Sequence, residues 1–320
     1  MTVAQWLDVW LAEYNGAVKP GTLKTYSDNV RNHIKPALGA VKLSELQPHM
    51  VQTFINGLQR GRRPLAAKTV KNIHGTLCKA LSEAVRVRYI ASNPANGCIL
   101  PKVRHGDIAP LEVDEIAAFT EAIKSDRSED IFFVAINTGL RLSELLGLRW
   151  SRVDFKKGTI KVDAQLLVKR GQATERALGP TKNSKPRTFK AMPAVMDRLK
   201  AVQRQQREWR LQAGPAWHND LELVFTNEVG QEIPHATIEH RFTRIMDSIG
   251  IEGHRFHDLR HTFATEAIRA GVDVKSISET LGHSSVAFTL DVYAGFTEAM
   301  QDDAAARLQA LFEARNSSTK

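Results

Sequence analysis

The sequence predicts a mainly α protein with a small antiparallel β-sheet confined to its second domain. Apolar residues recur at helical spacing through the first ninety positions, with no alternating run among them. A stretch with three prolines and two glycines, residues 91–110, then breaks the periodicity. The only strand-like segments lie together beyond it. A chain of 320 residues suits two domains of ordinary size, here 1–90 and 111–320 with 91–110 as linker.

In the first domain, Val3, Trp6, Leu7, Trp10 and Leu11 share a helical face, and Thr2 is placed to cap it. Pro20-Gly21-Thr22 opens a second helix to about Pro36, and Leu46 to Leu58 gives a third. The fourth runs from Ala66 to about Tyr89, with Val70, Ile73, Leu77 and Leu81 as its stripe and Lys68, Lys71 and Lys79 beside it. The second domain starts with an amphipathic helix at Leu111. Another spans Asp130 to Asn137 and stops at Thr138-Gly139, and Arg141 opens the short helix RLSELLGL. GTIKVDA, QLLVKR and PRTFKA read as strands of one small sheet, with Lys182 on a loop or edge. Helices resume at Pro193–Gln212, Ala236–Ile249, Asp258–Ala270, Val274–Leu281 and Thr297–Glu313.

Composition narrows the function. Hydrophobic residues at 42% and charged residues at 25% fit a soluble globular chain. No apolar run approaches the roughly 20 residues needed to cross a bilayer, and MTVAQWLDVW does not read as a signal peptide. Cys78 and Cys98 form no framework or metal cluster, as expected in a reducing cytoplasm. The net charge of +9 is unevenly placed: residues 1–107 hold fifteen Lys and Arg against six Asp and Glu, and the remainder is balanced. Such asymmetry suits a module that grips a polyanion beside a more neutral one.

The second domain carries the chemistry. Of the four tyrosines, Tyr14, Tyr26 and Tyr89 precede the linker and only Tyr293 follows it, ten residues past His283. A phenol acts as a nucleophile only where other groups stabilise its anion and charge its target. Arg141, at a helix start after Thr-Gly-Leu, and Arg260 are forked cations suited to phosphate oxygens. Glu144, one turn beyond Arg141, is placed to orient its guanidinium. His257 shares a helix face with Arg260 in HDLRH, and Lys182 in PTKNSKPRT offers a mobile general acid, with Lys185 as a rival. HDLRH also resembles the zincin pattern, but aspartate stands where glutamate is needed. No conspicuous carboxylate cage suggests a metal, and none is expected, nor any cofactor. Together these residues describe a site for a phosphodiester.

The order Arg, Lys, His-x-x-Arg, His, Tyr resembles the tyrosine recombinase family: phage and conjugative-transposon integrases, Xer-type resolvases and Cre-like enzymes. The resemblance runs from about Val3 to the last helix, through the boxes TGLRLSELLGLRW, TKNSKPRTF, HDLRHTFAT and LGHSSVAFTLDVY. Only the hairpin box departs, with Lys185-Pro186-Arg187 where Ser-Arg-Arg is commoner. The resemblance implies a site-specific recombinase, bacterial or phage-encoded, cutting and rejoining DNA through a covalent 3′-phosphotyrosine without metal or ATP. Arg141 and Arg260 would clamp the scissile phosphate and His283 would stabilise its transition state. His257 would assist proton transfer, Lys182 would protonate the leaving 5′ oxygen and Tyr293 would hold the 3′ phosphate. A type IB topoisomerase and a catalytically silent DNA-binding protein are the alternatives.

The resemblance further implies that the first domain is a helical core-binding module, forming with the catalytic domain a clamp on duplex DNA. Arg62, Arg63, Lys68 and Lys71 are its expected phosphate contacts. The implied partners are double-stranded DNA with inverted core sites and three further copies in a homotetramer on synapsed DNA, the free protein being a monomer. The C-terminal helix has an apolar face of Ala304, Leu308, Leu311 and Phe312; in relatives such a segment docks onto a neighbouring subunit, and packing in cis is the alternative. The separate N-terminal arm-binding domain of many integrases is expected to be absent or removed, since the chain starts almost at the first helix.

Overall fold

The computed structural model describes residues 1–16, 18–60, 63–103, 110–167, 178–181 and 185–282. It divides into two compact units, Met1–Gly106 and Asp107–Lys320.

The first unit is mainly helical in its described residues. Helix α1 (Val3–Glu13) starts from a reciprocal cap between Thr2 and Gln5. Helix α2 (Pro20–Asn29) continues through a π-helical turn, Val30–Ile34, into α3 (Lys35–Leu38). The helical run ends at Leu38, two residues past the expected end at about Pro36. Proline clashes with the carbonyl four residues back in a regular helix, and the wide turn just before Pro36, closed by Lys35 N–H to Val30 O, relieves this.

Helices α4 (Pro48–Arg60) and α5 (Ala67–Arg86) complete the bundle. On α5 the stripe Val70, Ile73, Leu77 and Leu81 is buried, joined by Ala80 and Ala84. Trp6 and Trp10 fill the middle, and the Trp6 indole donates to Ala80 O at 2.9 Å, locking α1 to α5. The start of the segment read as linker packs into this unit. Asn93 donates to Cys78 O, His74 meets Ala95 O, and Gln52 makes two bonds with the Ile99 backbone.

In the second unit α6 (Val113–Ala122), α7 (Glu129–Thr138) and α8 (Leu142–Leu146) precede the strands. These are β1 (Val153–Asp154), β2 (Thr159–Val162), β3 (Ala164–Leu166), β4 (Leu178–Pro180) and β5 (Arg187–Lys190). Among the described residues they form two antiparallel sheets, ordered β1-β2-β5 and β3-β4. Asp163, between β2 and β3, takes Arg149 and Arg152 as ion-pair partners. Helices α9 (Pro193–Ala213), α10 (His235–Ser248), α11 (Asp258–Arg269) and α12 (Val274–Leu281) follow. Phe119, Phe132, Phe242 and Phe256 meet at ring-centroid distances of 5.7–6.3 Å and hold α6, α7 and α10 to the loop before α11. The predicted helix Thr297–Glu313 lies outside the described residues. No described helix is long and apolar enough to cross a membrane.

Gly139 ends α7 in the left-handed region, φ +62°. A Cβ there would lie 2.7 Å from the Phe263 ring and 2.5 Å from Leu281, so α11 and α12 pack directly on its backbone. Gly139→Ala is expected to lose at least about 2 kcal/mol of stability from backbone strain and overpacking. A urea midpoint equal to that of the wild type would contradict this packing.

Candidate active site

The site grows from the junction of α7 and α8. After Gly139 turns the chain, Arg141 adopts an extended conformation and serves as the N-cap of α8. Glu144, three residues on, returns to it: its carboxylate accepts from Arg141 N at 3.2 Å and from Arg141 Nη1 at 2.8 Å. The expected pairing is therefore present, but with Glu144 buried rather than at the surface. A second guanidinium completes it. Arg187, at the start of β5, donates Nη1 and Nη2 to the two Glu144 oxygens at 3.1 and 2.7 Å.

A lone buried carboxylate would take up a proton. Burial does push Glu144 up, but the bonds and charge of Arg187, then the charge of Arg141, outweigh it and hold the group at about 2. Glu144 thus stays ionised, and its two arginines stay oriented.

Arg260 reaches the same junction from α11. It is only 3% exposed and donates Nη1 to Gly139 O at 2.8 Å and Nη2 to Leu281 O at 2.6 Å. One side chain therefore links the end of α7, two residues before Arg141, to the end of α12, two residues before His283.

His257 stands at the N-cap of α11, with its ring edge-on to His261 at 5.3 Å. Burial, then the charges of His261, Arg260 and Arg141, lower it to about 4 against a partial offset from Asp258. It is neutral at pH 7 and free of the charge that would stop it accepting a proton. The charges of Arg260 and Arg141 both disfavour the protonated ring. Asp258 turns away to accept from Arg255 N at 2.7 Å. Among the described residues no three His, Cys, Asp or Glu side chains converge as a metal cage.

Lys182, His283 and Tyr293 lie outside the described residues, as does Arg62. The described chain reaches Thr181 and Lys185 on either side of Lys182, and Gly282 before His283. Arg63, Lys68 and Lys71 are exposed on the first unit. Arg187 is the participant that the sequence reading did not single out. Its signal was register: it shares a strand face with buried Phe189, and an arginine on a buried face needs a buried counter-charge.

Two family models match this chain: the phage integrase family over residues 108–299, and the phage integrase N-terminal SAM-like domain over residues 2–59. A tyrosine recombinase XerC-like protein of Caldanaerobacter subterraneus is 32% identical over 98% of this chain and 84% of the relative. The chain belongs to the phage integrase family of tyrosine recombinases. An integrase of Saccharopolyspora erythraea is 25% identical over 98% of this chain and 83% of its own length. Among solved structures, the Tn1549 transposon integrase in complex with a circular intermediate DNA matches with a TM-score of 0.79. It is 22% identical, over 97% of this chain and 99% of that one. A lambda integrase tetramer bound to a Holliday junction matches with a TM-score of 0.69 at 20% identity, over 91% and 77%. These likenesses establish the fold of this recombinase, mostly helical with small antiparallel sheets.

Glu144 contributes to the acid sensitivity of the recombinase. The unfolded chain binds its proton at higher pH than the folded chain, so the stabilisation is complete above the unfolded value and disappears as pH falls through the folded one. That window runs from 4.5 down to about 2 and corresponds to about 3 kcal/mol. Glu144→Gln is expected to destabilise the protein by about 3 kcal/mol at pH 7 because it leaves two guanidiniums without their counter-charge. Its gap to wild type should close as pH falls below 4.5. Urea titrations from pH 7 to 2.5 measure this, and a gap independent of pH would refute it.

Proposed function

We propose that this recombinase cuts and rejoins duplex DNA at a specific site through a covalent 3′-phosphotyrosine. The observation that carries the reading is the junction at Gly139, where Arg260 bonds the chain two residues before Arg141, with His257 one turn before Arg260 at the start of α11. Two fixed cations beside a vacant proton acceptor are what an attacked phosphodiester requires. In the proposed step the Tyr293 oxygen attacks the scissile phosphorus and its proton passes to His257. Arg141, Arg260 and His283 bind the non-bridging oxygens as charge builds there. The bond to the 5′ oxygen breaks, and Lys182 supplies the proton that oxygen takes. A bound phosphate anion also offsets the arginine charges on His257 and makes it a stronger base. Rejoining is the reverse step, and the phosphotyrosine keeps the bond energy so that ATP is not consumed.

In this reading residues 1–90 form the core-binding domain, 91–110 the linker and 111–320 the catalytic domain. The partner is double-stranded DNA with inverted core sites, on which four copies assemble. The DNA-bound state of the Tn1549 relative and the tetrameric lambda assembly support this. A groove of about 590 Å³ lined by Phe133, Ile136, Phe263, Ala267 and Ile277 has the apolar character to receive the C-terminal helix of a neighbour.

Incubation of the full chain with sheared DNA from the chromosome that encodes it should yield a Tyr293 peptide carrying a 3′-linked nucleotide, enriched at one sequence. Tyr293→Phe should yield none. Absence of any wild-type adduct, or equal adduct from Tyr293→Phe, would overturn the reading, and adducts scattered without sequence preference would favour a type IB topoisomerase. Replacing Lys68 and Lys71 together by alanine should weaken binding to all duplexes alike and lower the salt slope by about 2. An unchanged slope, measured by fluorescence anisotropy across salt concentrations, would remove both lysines from the DNA contact.

A further inference from the structure

The reaction above assigns no role to Arg187, yet it is more deeply placed than Arg141: their side chains are 10% and 20% exposed. Its three nitrogens are all engaged. Nη1 and Nη2 hold Glu144 as a fork, while Nε donates to Thr280 O at 2.7 Å. Thr280 lies in the last turn of α12, where the final four carbonyls have no helical partner. Here each is satisfied. The Gly282 N–H serves Ser278 and Glu279, Arg187 serves Thr280, and Arg260 serves Leu281. Two cations at a helix C-terminus also match the sign of its dipole.

Gly282 then leaves α12 in the left-handed conformation, φ +65°. A Cβ on it would stand 2.9 Å from Arg187 Nη1 and 3.0 Å from its Cδ. The backbone is therefore pressed flat on the arginine at the point where the chain departs for His283. A single side chain spans β5, α8 and the end of α12.

We propose that Arg187 is a positioning residue of the active site, tying Arg141, through Glu144, to the last turn of α12. It fixes the phosphate-clamping arginine and the end of α12 in one frame. With all three nitrogens directed at protein oxygens, it acts through these groups and not on the phosphate. The inference rests on the phosphotyrosine reading for its consequence in catalysis, but its geometry is testable without DNA. The charged groups facing Glu144 are Arg141 from its own helix and Arg187 from β5.

The test uses the full chain with Arg187→Gln and Arg187→Lys, and a nicked duplex of the sequence recovered with the wild-type adduct. Both variants are expected to bind this duplex within about threefold of wild type while the single-turnover rate of adduct formation falls at least about tenfold. Lysine keeps the charge but cannot form the fork and reach Thr280 O together, so it should not rescue the rate. In Arg187→Gln the adduct rate should also fall on acidification at a higher pH than in the wild type, because Glu144 then takes up a proton more readily. Adding Glu144→Gln should abolish that extra fall, whereas simple loss of stability would leave it.

In the free protein, carbon NMR should show the Glu144 midpoint rising from about 2 in Arg187→Gln, because burial is then opposed by Arg141 alone. A wild-type adduct rate in either variant, or an unmoved Glu144 midpoint, would overturn the proposal. Failure of the wild type to form any adduct would instead overturn the phosphotyrosine reading, and the Glu144 titration would still decide the positioning role.

Discussion

One ionised carboxylate, sealed from water, organises the centre of the second unit. Glu144 stays charged because two guanidiniums surround it, and those guanidiniums stay in place because it is charged. Neither half is stable alone: an unpaired buried carboxylate would be neutralised, and unpaired buried arginines would be driven outward. The arrangement leaves one net positive charge more than a simple pair would. That surplus is useful beside an anionic ligand, since the cluster is completed rather than disrupted when phosphate arrives. Preorganisation of this kind lowers the cost of reorienting dipoles during reaction.

The arginines divide the work by depth. Arg260 is almost wholly enclosed and spends two donors on main-chain oxygens, so its position is dictated by where α7 and α12 end. Arg141 is held from one side only and keeps part of its guanidinium toward solvent. His257 feels both, and their fields, added to burial, keep it uncharged at neutral pH. The chemistry thus depends on a helix junction as much as on the side chains named in it.

Much of this could be read from residue order. Helix spans followed from periodicity because each helix buries one stripe, and α5 shows this plainly at Val70, Ile73, Leu77 and Leu81. Arg141, Glu144, His257 and Arg260 were recognisable because the spacings i,i+3 and His-x-x-Arg put pairs on one face. What could not be read depended on contacts between distant segments. Arg187 and Glu144 are 43 residues apart, and only the pairing of β5 with β2 turns that arginine inward. The ion pairs of Asp163 with Arg149 and Arg152 likewise join segments in ways that periodicity does not report. Lys182, His283 and Tyr293 remain assigned by their sequence boxes.

The π-helical turn ahead of Pro36 has an effect on the first unit beyond accommodating a proline. Tyr26, Val30, Ile34 and Leu38 are spaced by four, and all pack into the core. Around a regular helix of 3.6 residues per turn, such a series would drift by about 40° at every step and wind off the buried face. The wider turn holds back that drift midway, and all four side chains stay on the buried side of the bundle. A local irregularity in the backbone thereby acts as a phase correction.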